Sequence, residues 1–135
     1  MRCEGKGKPL TFILTPGERH DAPVFEQLME GGAVKRQGRG RPRSKPKRVA
    51  ADRSYASRTI RLYLRRKGIR YTIPHKSNER HGSKAKFDRE LYRLRNIVER
   101  LFSWLKQFRR VATRYEKRAH NYKAMLTLAS ILLWL

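Results

Sequence analysis

Tyr92-Arg93-Leu94-Arg95-Asn96-Ile97-Val98-Glu99-Arg100-Leu101-Phe102-Ser103-Trp104-Leu105-Lys106 sets one carboxylate in a row of basic, apolar and aromatic groups at helical spacing. Separations of three, four and seven residues return to one face of an α-helix, so Tyr92, Arg95, Glu99 and Lys106 are expected in one narrow sector. Leu94, Ile97, Leu101, Leu105 and Phe108 fall in the opposite sector and predict an apolar stripe against a core. The stretch then presents an acid, two cations and a phenol outward from a buried back. A surface glutamate paired with Arg95 or Arg100, worth only a few tenths of a kcal/mol, is the plain alternative for Glu99.

Upstream, Ile69 to Pro74 alternates as a strand, and Val49-Ala50-Ala51 forms a short apolar strand ending at Asp52. Between them, Ile60, Leu62, Tyr63 and Leu64 lie in a basic helix expected to stop at Gly68. Pro9 to Leu14 predicts a strand closing on the turn Thr15-Pro16-Gly17. Asp21 is suited to cap a short helix with Pro23 in its first turn and Val24, Phe25, Leu28 and Met29 inside. Downstream, the helix is expected to begin near Phe87 or Asp88 and to meet a terminal helix at a break or kink around Asn121. Alternating strands and helices argue for an α/β layered sheet rather than a bundle. A chain of 135 residues suits one domain with a modest core.

The 34 Lys and Arg residues against 11 Asp and Glu give a formal charge of +23, far beyond what solubility requires. Such self-repulsion implies a polyanionic partner, first of all nucleic acid. A membrane surface is the rival, but the long apolar run, Ala124 to Leu135, is about a dozen residues against the ~20 needed to span a bilayer. It reads as a buried terminal helix. A lone Cys3 excludes an internal disulfide and points to a reducing, intracellular setting, and with no segment resembling a secretory signal, cytoplasmic, nucleoid-associated residence is expected. His20, His75, His81 and His120 lack zinc-ligand spacing, and Trp104 and Trp134 read as core or helix-packing residues.

A Tyr, two residues, an Arg, three residues, a Glu, six residues and a Lys resembles the stretch around the last acid of insertion-sequence DDE transposases. Val49-Ala50-Ala51-Asp52-Arg53-Ser54-Tyr55 is similar to the strand bearing that family's middle acid. Gly7-Lys8-Pro9-Leu10 through Leu14-Thr15-Pro16-Gly17-Glu18-Arg19-His20-Asp21 resembles the segment downstream of its first acid. The three blocks stand in family order and span nearly the whole chain. The resemblance implies a DNA transposase acting at insertion-sequence ends through an α/β, RNase H-like mixed sheet flanked by helices. It also implies Asp52 and Glu99 as catalytic ligands for Mg²⁺ or Mn²⁺, with Arg95 and Lys106 on DNA phosphates. Tyr92 would stack on the strand or simply pack.

The family's first acid lies upstream of the Gly7 block, so an N-terminally truncated or split core is expected. Glu4 is the one carboxylate ahead of that block. A homo-oligomer or a partner chain would then supply the remainder.

Lys35 to Arg48 is dominated by Lys, Arg, Gly and Pro and is expected to be a basic flexible loop. Within it, Arg39-Gly40-Arg41-Pro42 is similar to the AT-hook core, whose arginines enter the minor groove of A·T-rich DNA. The other reading is that the loop, with Arg39, Arg41 and Arg43 among its DNA-binding residues, is a nonspecific phosphate clamp. Two further function classes compete with the enzyme: a noncatalytic DNA-binding regulator, and a ribosome-associated basic protein, which leaves the lone Glu99 without a reason.

Overall fold

A computed structural model of the chain describes residues 1–16, 22–76 and 87–135. In chain order the elements are β1 (Arg2–Cys3), β2 (Pro9–Thr11), a 3-10 turn (Ala22–Val24) and α1 (Phe25–Glu30). β3 (Arg48–Ala50), a 3-10 turn (Arg53–Tyr55), α2 (Arg58–Arg66) and β4 (Arg70–Thr72) follow. The chain then forms α3 (Arg89–Arg93), α4 (Asn96–Lys106), α5 (Arg109–Thr113) and α6 (Ala119–Leu132). The class is mixed α/β. The strands form two pairs, β1 antiparallel to β2 and β3 parallel to β4. His20, Asp21 and His81, with the expected cap at Asp21, lie outside the described residues.

Contacts gather into two compact units, one of residues 17–95 and one joining 1–16 to 96–135. In the first, β3, α2 and β4 make a β-α-β unit with Arg48 opposite Arg70, Val49 opposite Tyr71 and Ala50 opposite Thr72. Ser57 starts α2 by accepting the Ile60 amide on its hydroxyl at 3.2 Å. The helix ends where Gly68 takes φ +62°, a left-handed conformation that a Cβ makes costly. The Gly68 amide donates to Arg65 O and the Ile69 amide to Leu64 O, a Schellman closure. It turns Ile69 back onto Leu64 within a core that includes Phe25, Met29, Ile60, Tyr63 and Ile73.

The second unit buries Leu101, Leu105, Val111, Leu126 and Ala129, with Cys3, Phe12, Leu14, Phe108 and Tyr122 packed around them. The apolar run of α6 is only half covered. Leu126, Ala129 and Ser130 face inward, whereas Leu128, Ile131, Leu132 and Leu135 are exposed. Of the two readings for Trp104 and Trp134, helix packing fits and full burial does not, since both are exposed by nearly half. The Trp134 indole N–H instead donates to Pro9 O at 2.7 Å. Among the described residues, no helix is long and apolar enough to cross a membrane.

The single long helix expected from residue 88 is interrupted. Asp88 does cap its start, accepting the Leu91 amide at 2.9 Å. At Leu94 and Arg95 the amides reach back only three residues, to Leu91 O and Tyr92 O, which tightens the chain into a turn. Leu94 is exposed, so no buried side chain carries the apolar stripe through this joint. A second break follows Lys106, and the terminal helix runs straight through Asn121.

Candidate functional site

Asp52 stands two residues beyond the carboxyl end of β3, where the Ala51 amide still donates to Thr72 O of β4. Pockets at the carboxyl ends of parallel strands are where α/β folds place their chemistry. The side chain is exposed, and its Oδ1 accepts the Arg53 amide at 2.5 Å, opening the 3-10 turn Arg53–Tyr55. A capping role is therefore present whatever else the residue does.

Glu99 lies in the first turn of α4 and Lys106 in its last, both exposed. Each has the sign that the helix dipole favours at its end. Seven residues apart on one continuous helix, they share a sector. Tyr92 and Arg95 precede α4, so the four-residue sector holds within α4 only for Glu99 and Lys106. Tyr92 is half-buried and serves as a platform, with the Phe87 ring 5.3 Å away and the Arg95 guanidinium 5.5 Å from its ring centre. Asp52 belongs to one unit and Glu99 to the other, so their pairing is not part of either unit's internal geometry.

Exposed carboxylates are the donors that Mg²⁺ or Mn²⁺ takes, and with Asp52 Oδ1 on the Arg53 amide, Oδ2 is the oxygen left for an ion. Among the described residues, no three His, Cys, Asp or Glu side chains cluster as a metal site. Glu4 is committed elsewhere: its Oε1 accepts the Lys6 amide at 2.8 Å and the Lys8 amide at 2.9 Å. The carboxylate thereby closes the β1–β2 turn, in which Gly7 takes φ +88°. Beside it, burial and then the Glu4 charge push the Cys3 thiol up, which keeps it a neutral thiol and a poor nucleophile.

The family described as "Transposase DDE domain" matches residues 2–134. The chain belongs to the DDE transposases. It is 36% identical over 130 residues to the Burkholderia cepacia protein named "Putative transposase for insertion sequence element IS402", covering 96% of this chain and 58% of that one. It is 30% identical over 129 residues to the corresponding IS6501 protein of Brucella ovis, covering 96% of this chain and 90% of that one. The transposase chain thus spans little more than half of the first relative's length. No solved structure matches it.

One polar cluster of this transposase chain escaped the sequence reading. Arg61 of α2 places Nη1 2.9 Å from His75 Nδ1 and donates from Nη2 to Pro74 O at 3.3 Å. The pair stands at the same strand-end edge as Asp52, since β3 and β4 are parallel and in register. A lone His and one Arg among 34 basic residues give no spacing by which to find it.

Proposed function

We propose that this chain carries part of a DNA-cleaving and strand-transferring centre of the RNase H-like kind, acting at insertion-sequence ends. The observation that supports it most is a family match over residues 2–134 together with an exposed Asp52 at the carboxyl end of a parallel strand pair. Asp52 and Glu99 are the proposed ligands of a divalent ion, Mg²⁺ or Mn²⁺. Such an ion, when bound, supplies Lewis acidity to the phosphate and hydroxyl oxygens of an in-line displacement. Asp52 through Oδ2 and Glu99 through its carboxylate contribute hard oxygen donors.

Lys106 sits two turns along the same face as Glu99 and holds a phosphate as a point charge. Arg95, braced on the Tyr92 ring, offers a planar fork for a second phosphate. Two carboxylates leave room in the ion's shell for a further acid.

Asp52→Asn and Glu99→Gln test the reading in a Mg²⁺-dependent nicking assay on insertion-sequence-end DNA. Each is expected to lower the rate by roughly 10²-fold or more while leaving DNA affinity within a few-fold. Nicking by both variants at the rate of the unaltered chain would end the proposal. A second reading, a noncatalytic DNA-binding regulator, draws support from the formal charge of +23. It predicts DNA binding without nicking in any variant.

A further inference from the structure

We infer that residues 34–43 form a finger that reads the minor groove of A·T-rich DNA through Arg39 and Arg41, an inference resting on the proposal that DNA is this chain's substrate. The neck of the finger is an antiparallel bridge. The Val34 amide donates to Arg43 O at 2.9 Å and the Arg43 amide to Val34 O at 2.8 Å. Residues 35 to 43 beyond it are all exposed. From Lys35 to Arg48, eight of fourteen residues are Lys or Arg and none is acidic. Arg39 and Arg41 have no carboxylate partner among the described residues, whereas Arg48 at the far end is paired with Asp88 at 3.6 Å.

Charge alone would make a phosphate clamp; the glycines argue for more. Gly38 and Gly40 flank Arg39 at φ +109° and +134°, conformations closed to ordinary side chains. A Cβ at Gly38 would meet nothing within 4 Å, and one at Gly40 only the Arg36 side chain at 3.7 Å. The positive φ values rather than crowding require glycine here, and both residues leave an open edge beside Arg39. Pro42 disfavours the helical region for Arg41 and keeps it extended. A slim backbone carrying two exposed guanidinium groups suits a groove about 6 Å wide whose negative potential deepens as A·T runs narrow it. Arg suits that position better than Lys because its guanidinium sheds water more easily.

Binding of the full chain at ~0.15 M salt to three duplexes decides between the modes. They differ only in a central run of A·T, G·C or inosine·C pairs. Inosine·C lacks the purine 2-amino group and so presents an A·T-like minor groove beneath a G·C-like major groove. The inference expects A·T and inosine·C to bind alike and at least about tenfold tighter than G·C. Arg39→Lys with Arg41→Lys, which keeps the charge, is expected to erase most of that preference while leaving G·C binding and its salt slope in place. Equal affinity for G·C and inosine·C, or a preference that survives the double substitution, overturns the finger and leaves a phosphate clamp. Failure to bind any duplex would instead defeat the underlying proposal of a DNA substrate as well.

Discussion

The two compact units end their elements by different means. In the 17–95 unit, α2 and α3 are closed by neighbours in sequence: Ser57 and Asp88 cap their starts, and Gly68 ends α2. In the unit joining 1–16 to 96–135, α5 and α6 have no side-chain cap at their starts. There the chain is tied across 125 positions, by Trp134 Nε1 donating to Pro9 O and Lys8 Nζ to Leu133 O. Local caps thus close α2 and α3 in one unit, though not α1, while bonds between residues far apart in the chain tie the two ends of the other. The difference sets both what can be read from sequence and what should break each unit.

Emptying each core provides the largest test. Leu64 and Leu101 are both 0% exposed. Leu64→Ala and Leu101→Ala are each expected to cost about 2–5 kcal/mol in urea unfolding. Both tryptophans lie in the Leu101 unit, so their fluorescence follows that unit while far-ultraviolet circular dichroism follows both. Leu101→Ala should shift the fluorescence midpoint, and Leu64→Ala should move the dichroism and leave the fluorescence in place. An equal fluorescence shift from Leu64→Ala would mean that the units unfold as one, and the contrast would fail.

Next in size comes Gly68→Ala, which strikes a local closure. The added Cβ would meet only the flexible end of Lys45 at 3.4 Å, so the cost arises from backbone strain at φ +62°. That strain is about 1–2 kcal/mol, and it should appear in the dichroism transition. No measurable loss would show that the Schellman closure does not hold α2 in place.

Legibility follows the same division. β3, α2, Gly68 and β4 were expected near their observed positions, because their periodicity and stop signals sit within a few residues of what they control. The strand Arg2–Cys3 was not foreseen: two residues carry no period, and their partner is found only across the Gly5-Lys6-Gly7 turn. Glu4, the one carboxylate ahead of the Gly7 block, has its carboxylate held by the Lys6 and Lys8 amides, a local turn role that charge alone does not reveal. The outward sector of Tyr92, Arg95, Glu99 and Lys106 assumed an unbroken helix. The sequence carries no clear warning of the joint at Leu94, which shows itself in the three-residue hydrogen bonds of Leu94 and Arg95 and in the exposure of that leucine. Asp52 was legible as the end of a strand. Its engagement with the Arg53 amide depends on a rotamer, which no spacing encodes.

The smallest effect tests the long-range ties. Trp134→Phe keeps an aromatic ring but removes the indole N–H, leaving Pro9 O without its donor. Proline has no amide hydrogen, so its carbonyl is the backbone group through which Pro9 can be held, and the residue is buried. Losing one such bond typically costs about 0.5–1.5 kcal/mol, rising when the stranded acceptor stays dry. Trp104 remains as the reporter in the same unit. The fluorescence midpoint should fall by that amount, with the dichroism of the 17–95 unit unmoved. Lys8→Met, which removes the second tie at Leu133 O while keeping the aliphatic stem, should add to the loss less than its own separate effect, since both bonds fasten the same chain ends. Full additivity would make them independent anchors. No loss from either would leave the Leu101 core alone to hold β2 against the end of α6, and the distinction between locally and remotely secured units would reduce to one of packing.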